Sequence, residues 1–200
     1  MHPTLPSALQ SFLFLTLPVW IYVAVLRWRK HIEWREIADR LGLRAPPLRY
    51  VAWGLAFSVL SMCFSVVSVR FGIGFSDQGS PIHFLVGMRP TPELIWASFL
   101  YAFIATGIGE ELLFRGLIAG VLRRRIESET LANLLQALIF TAPHALILIV
   151  RPDLWSVLLV IPVLALILGW LRFRSKSVLP SALVHSLGNF AVALATMAWS

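Results

Sequence analysis

Six apolar stretches, each about 17 residues or longer, alternate with short polar connections, and this rhythm restricts the fold more than any other feature of the chain. They run roughly over 8–26, 50–69, 93–122, 131–149, 154–171 and 178–199. A bilayer offers no water to satisfy backbone N–H and C=O groups, so each spanning segment must satisfy its own as a helix. Composition agrees. The chain is 58% hydrophobic and 14% charged with mean hydropathy +0.79, against about 25% charge in an ordinary soluble domain. The expected fold is an all-α polytopic membrane protein, a bundle of about six transmembrane helices enclosing an intramembrane polar cavity. At 200 residues the chain has room for one membrane domain, residues 1–200, and no separate soluble one. Pro143 and Pro162 are expected to kink their helices, which neighbouring helices in a bundle can accommodate.

The basic residues give the bundle a direction. Thirteen of the 17 fall in the first, third and fifth connections: Arg27 to Arg49, Arg123 to Arg125, and Arg172 to Lys176. Arg70, Arg89 and Arg151 lie on the other side, and Arg115 lies inside a span. By the positive-inside rule the first group is cytoplasmic and both termini are external. A net charge of +7 spread in this way suits orientation in a membrane and does not indicate nucleic acid. No Lys or Arg precedes residue 27, so the first segment reads as a span and not as a signal peptide. His31 to Arg44 reads as a short interfacial or connecting helix, and Phe71–Pro92 as an external loop. The single cysteine, Cys63, allows no intrachain disulfide.

Three polar constellations interrupt the apolar spans. Glu110-Glu111-Leu-Leu-Phe-Arg115 places three ionisable side chains in the third. A charge near the bilayer centre costs about 2.5–3.5 kcal/mol even on lenient insertion scales, so such a cluster marks a functional site facing the bundle interior. Glu111 and Arg115 are spaced for an i, i+4 ion pair, while Glu110 points about 100° away from Glu111 on an α-helix. Gly107 and Gly109 permit close approach by a neighbour. In the fourth span Phe140 and His144 share a face, which Asn133 and Gln136 extend. In the sixth, His185 and Asn189 are again four apart, with Ser181 one turn earlier. Counted at about 1.5 Å per residue from the cytoplasmic ends, Glu110, His144, His185 and Asn189 lie about 19, 20, 13 and 18 Å deep. A shared cluster at that level satisfies all four, whereas separate placements leave each to find its own partner in hydrocarbon.

A carboxylate, two imidazoles and an amide around one pocket suit amide hydrolysis. In one arrangement Glu110, assisted by His144, deprotonates a water while His185 and Asn189 stabilise the oxyanion. In the other, Glu110, His144 and His185 hold a divalent ion such as zinc and leave a position for water, although no HExxH helix is present. No serine sits in a nucleophile-elbow context.

The motifs EELLFR (Glu110, Glu111, Arg115), FTAPH (Phe140, His144) and HSLGN (His185, Asn189) match, in order and spacing, the EExxxR, FxxxH and HxxxN motifs of a known group. The chain thus resembles the CAAX-protease and bacteriocin-processing (CPBP, or Abi) intramembrane endopeptidases over roughly residues 93–199, which would form the catalytic core. The resemblance implies an all-helical fold with a cavity open toward the cytoplasmic leaflet, in the bacterial cell membrane, acting on a membrane-associated peptide or protein. Glu110 and His144 match the family's water-activating pair, His185 and Asn189 its oxyanion-stabilising pair, and Glu111, Arg115 and Phe140 shape the site. It leaves glutamate and metal mechanisms both open. FTAPH departs from the pattern in carrying Pro143 directly before its histidine. The prenylated CAAX substrate is not carried over, since bacterial chains of this type serve varied roles. Two other readings fit the same residues: a non-catalytic immunity or scaffold protein binding a peptide in the cavity, and a proton-coupled transporter using Glu and His as a relay.

Overall fold

A computed structural model describes residues 5–71, 85–150 and 152–199. Seven helices account for nearly all of them, and no strand occurs among the described residues. Helix α1 covers Leu5–Ala24 and winds on through Val25–Arg29. The short α2 is Trp34–Leu41, and α3 is Leu48–Arg70. A single long helix, α4, spans Pro92–Arg125. It is followed by α5 at Glu129–Val150, α6 at Val157–Ser175 and α7 at Leu179–Trp199. Five of these (α1, α3, α4, α6 and α7) are long and apolar enough to cross a membrane. With 22 apolar-rich residues, α5 completes the bundle.

Local chemistry sets the helix ends. Thr91 caps α4 by accepting from the Leu94 N–H at 3.3 Å, with Pro92 at the first helical position and Glu93 in the first turn. The far end of α4 is Arg123, Arg124 and Arg125, cations placed where the helix dipole is negative. Gly42 ends α2 in the left-handed region at φ 71°, a conformation that favours glycine.

Helix α7 is the axis of the bundle. Of its most apolar 18-residue window 61% is buried, against 17% in α1 and in α3. Its packing surface is built from small residues, as expected where lipid offers no hydrophobic drive for helices to associate. Against α3, the Ser65 hydroxyl donates to the Gly188 carbonyl at 3.0 Å, and Gly54 lies against the backbone of Pro180. Against α4, Gly107 meets the side chain of Ser186 so closely that a Cβ there would overlap it. The outer faces of α1 and α3 expose Leu13, Phe14, Leu17, Val59 and Leu60, a surface suited to lipid and not to water.

The short helix expected between the first two spans is present as α2. Ile37 and Leu41 are buried against Val19 and Leu26 of the first helix, and Trp34 stays exposed. Of the expected external loop Phe71–Pro92, residues 72–84 lie outside the described residues; Leu85 is buried against Ala193 and Met197 of α7.

One expectation needs correction. The third span was expected to be regular α-helix, but Tyr101–Glu110 and Leu112–Ile118 are wound as π-helix. The Ala119 N–H, for example, bonds the Phe114 carbonyl five residues back. The 100° step between Glu110 and Glu111 therefore does not hold here, nor does the 1.5 Å ruler used for depth. Wide winding of this kind is rare and recurs at functional sites.

Candidate active site

The wide-wound part of α4 carries both acids into the bundle on different courses. Glu111 is fully buried, and its Oε1 accepts from Arg115 Nη1 at 2.8 Å. The same oxygen accepts from His185 Nδ1 on α7 at 3.0 Å. Glu111 thus joins two helices, where spacing along the chain had suggested only the local pair. Glu110 retains 18% side-chain exposure, and its Oε2 stands 3.9 Å from His185 Nε2. That is too long for a hydrogen bond, so neither atom is committed to the other.

Arg115 has partners on three helices, although its Nε is buried without a hydrogen bond among the described residues. Its guanidinium carbon sits 4.2 Å over the Phe140 ring, and Nη2 reaches the Ala165 carbonyl of α6 at 3.5 Å. Its own carbonyl accepts from Arg172 Nε at 3.0 Å. A buried guanidinium needs such company, because removing an ion from water without compensation costs several kcal/mol.

Phe140 is the hub of the site. It is 2% exposed and packs edge-on against Phe114, 4.9 Å between centroids. Both imidazoles flank its ring, His144 at 5.0 Å and His185 at 6.0 Å. His144 is half-buried, and its Nδ1 lies 2.9 Å from the Phe140 carbonyl. A carbonyl only accepts, so Nδ1 carries the proton and Nε2 is left with its lone pair. Pro143, one residue earlier, removes the N–H that would bond the Ile139 carbonyl.

Asn189 is oriented by a residue that spacing along the chain did not single out. Its Nδ2 donates to Thr106 Oγ1 at 2.9 Å, and the Thr106 hydroxyl donates to the Ala102 carbonyl at 3.0 Å. One amide hydrogen of Asn189 is thereby used and the second remains. The available signal was slight: a threonine one helical turn before Glu110.

The fourth-span stripe divides. Asn133 and Gln136 do not extend the polar site, since their amides donate to the Leu166 and Ala165 carbonyls of α6 at 3.0 and 2.9 Å. Ser181 bonds locally to the Val178 carbonyl. Glu110, His144 and His185 also do not converge as a ligand set. Among the described residues, no three His, Cys, Asp or Glu side chains come close enough to share a metal ion.

A helical membrane bundle with both acids of α4 beside His185 of α7, and His144 of α5 beside the same Phe140 ring, belongs among polytopic membrane proteins with polar groups inside the bundle. Residues 92–191 match the family described as type II CAAX prenyl endopeptidase Rce1-like, and the chain belongs to that family. The protein is therefore an integral membrane protein of a protease family, with the lipid bilayer as its environment and a peptide or protein as its substrate class. No curated protein and no solved structure matches the chain.

Proposed function

We propose that the protein is an intramembrane endopeptidase that cleaves a peptide bond in a membrane-associated peptide or protein, using a water activated by Glu110 with His144. Residues 93–199 form its catalytic core, in a bacterial cell membrane. Glu110 takes a proton from the water as its oxygen attacks the scissile carbonyl carbon. The carbonyl oxygen becomes an oxyanion, stabilised by His185 and by the free amide hydrogen of Asn189. Collapse breaks the C–N bond, and the proton passes to the departing amine, with His144 Nε2 available to carry it.

The observation that carries this reading is the division of labour at His185. Nδ1 is fixed by Glu111, and Nε2 faces Glu110 across 3.9 Å without bonding it. With Nδ1 donating to a carboxylate, Nε2 has a hydrogen for an oxyanion only when the ring is doubly protonated. A buried carboxylate behind the ring fixes its orientation and keeps Nδ1 as the donor, as in carboxylate–histidine pairs generally. Glu111 therefore acts through His185, as a positioning residue, while Glu110 touches the reacting water.

The test is cleavage in cells, read by comparing protein termini between strains carrying wild-type and Glu110→Gln protein. Termini that vanish with Glu110→Gln, while the variant inserts and unfolds like wild type, are the expected result. A folded Glu110→Gln variant that produces the same termini refutes the mechanism. Function that persists without cleavage indicates a peptide-binding role for the cavity instead.

A further inference from the structure

At the end of the bundle where the basic connections gather, α2 and the neighbouring ends of α4, α5 and α6 enclose a pocket of about 430 Å³. Its lining includes six cations and three carboxylates. The carboxylates are already engaged: Glu36 with Arg40, Asp39 with Arg44, and Glu129 with Arg174, which lies outside the lining. Arg123, Arg124, Arg172 and Lys176 are left with no carboxylate partner among the described residues. Arg124 donates to Tyr22 and to the Arg40 carbonyl, and Arg123 to the Ile126 carbonyl.

Arg172 is the unusual member. It is 6% exposed, and its bonds go to the backbone carbonyls of Arg115 and Arg40 at 3.0 and 3.4 Å. Neither partner neutralises it. A cation at the membrane surface normally extends into water, where solvation costs nothing to keep. This one is buried, and it lines the same pocket as Arg123, Arg124 and Lys176. The positive-inside rule accounts for basic residues at this end of the bundle, but it does not account for four of them lining one pocket whose three carboxylates are each paired with another cation.

We infer that this pocket is a binding site for a phosphate-type anion, carried by an anionic lipid headgroup or free in solution. Basic pockets between helix ends at the cytoplasmic surface recognise lipid phosphates through planar guanidinium groups. A volume of this size holds a phosphate with its glycerol. The site is separate from the acids and imidazoles inside the bundle, and its occupancy is measurable without any cleavage assay. Its floor is nonetheless tied to them, because Arg172 bonds the carbonyl of Arg115.

The experiment uses the full chain, purified in detergent, with lipid retention read by native mass spectrometry. Phosphatidylglycerol is compared with phosphatidylcholine, and inorganic phosphate is added as a competitor. The pocket variant Arg123→Gln/Lys176→Gln removes two exposed cations, of which Arg123, among the described residues, bonds only the Ile126 carbonyl at the end of its own helix. The control variant Arg29→Gln/Lys30→Gln removes two cations at the same end but outside the lining. Preferential retention of phosphatidylglycerol, lost about tenfold or more in the pocket variant and kept in the control, is expected. Competition by inorganic phosphate identifies the anion alone as sufficient, and its failure assigns the ligand to the lipid. Equal retention of the two lipids with no bound phosphate, or equal losses in the two variants, overturns the site.

Discussion

Glu111→Gln is the substitution for which the structure makes the sharpest demand. Glutamine keeps the shape of the side chain and removes its charge, so packing is preserved while Arg115 loses the carboxylate it is bonded to. The pair is completely enclosed, with Arg115 0% and Glu111 1% side-chain exposure and 2.8 Å between the bonded atoms. Removing one partner of a buried ion pair costs about 3–5 kcal/mol, chiefly because the remaining charge is stranded. Arg115 retains the Phe140 face and the Ala165 carbonyl, which favours the lower part of that range. At about 3–4 kcal/mol and about 2–4 °C per kcal/mol for a chain of this size, the midpoint of thermal unfolding falls by roughly 6–16 °C. Tryptophan fluorescence in detergent reads this directly, as the chain has eight Trp. The double variant Glu111→Leu/Arg115→Met separates stability from activity. Replacing both charges with apolar groups of similar volume is neutral to stabilising by about 1–4 kcal/mol, so unfolding returns to near wild type. Cleavage does not return, because leucine offers His185 Nδ1 no acceptor. A Glu111→Gln variant within about 1 kcal/mol of wild type refutes the claim that this ion pair holds α4 in place. A double variant with restored cleavage refutes the positioning role of Glu111.

Other outcomes follow from the same geometry. His144→Ala lowers the rate of cleavage by about 10²–10⁴ while leaving thermal unfolding close to wild type, measured on a purified substrate peptide. Asn189→Ala lowers kcat by about 10²–10³, the cost of one oxyanion donor. Thr106→Val, which keeps the shape but removes the acceptor that orients Asn189, lowers kcat by about tenfold with little change in KM; an effect on KM alone argues against an orienting role. Gly107→Ala places a Cβ on Ser186 and 2.7 Å from the Ala102 carbonyl, and destabilises by about 1–3 kcal/mol. Adding Ser186→Ala recovers only part of this, since the Ser186 Cβ position is itself 2.9 Å away.

What could be read from the chain, and what could not, divides along the range of the interactions. The spans were legible because a helix in lipid satisfies its backbone within its own segment, so hydropathy and length alone locate it. The i, i+4 pair of Glu111 with Arg115 was legible for the same local reason. Partners on other helices were not. Nothing in the order of residues says that Glu111 is the acid meeting His185, or that Thr106 orients Asn189, because both bonds depend on how α4 rotates against α7. Where α4 meets α7 it is π-wound over 101–110 and 112–118 and passes Ser186 closely at Gly107, and neither feature has a reliable signature in a single sequence.

The consequence is a change in the meaning of the paired acids. Adjacent glutamates on a regular helix point in different directions, which suggests one structural and one functional residue with separate surroundings. In the bundle both meet the same imidazole, Glu111 at Nδ1 and Glu110 opposite Nε2. A single charge placed between them would be expected to serve either one. The asymmetry comes from Arg115, which neutralises Glu111 at 2.8 Å and leaves Glu110 as the acid with an open oxygen and residual exposure. The two adjacent acids thus stand on two sides of one histidine, and only Glu111 bonds it. The two acids sit where the wide-wound stretches 101–110 and 112–118 of α4 meet, and winding of this kind recurs at functional sites.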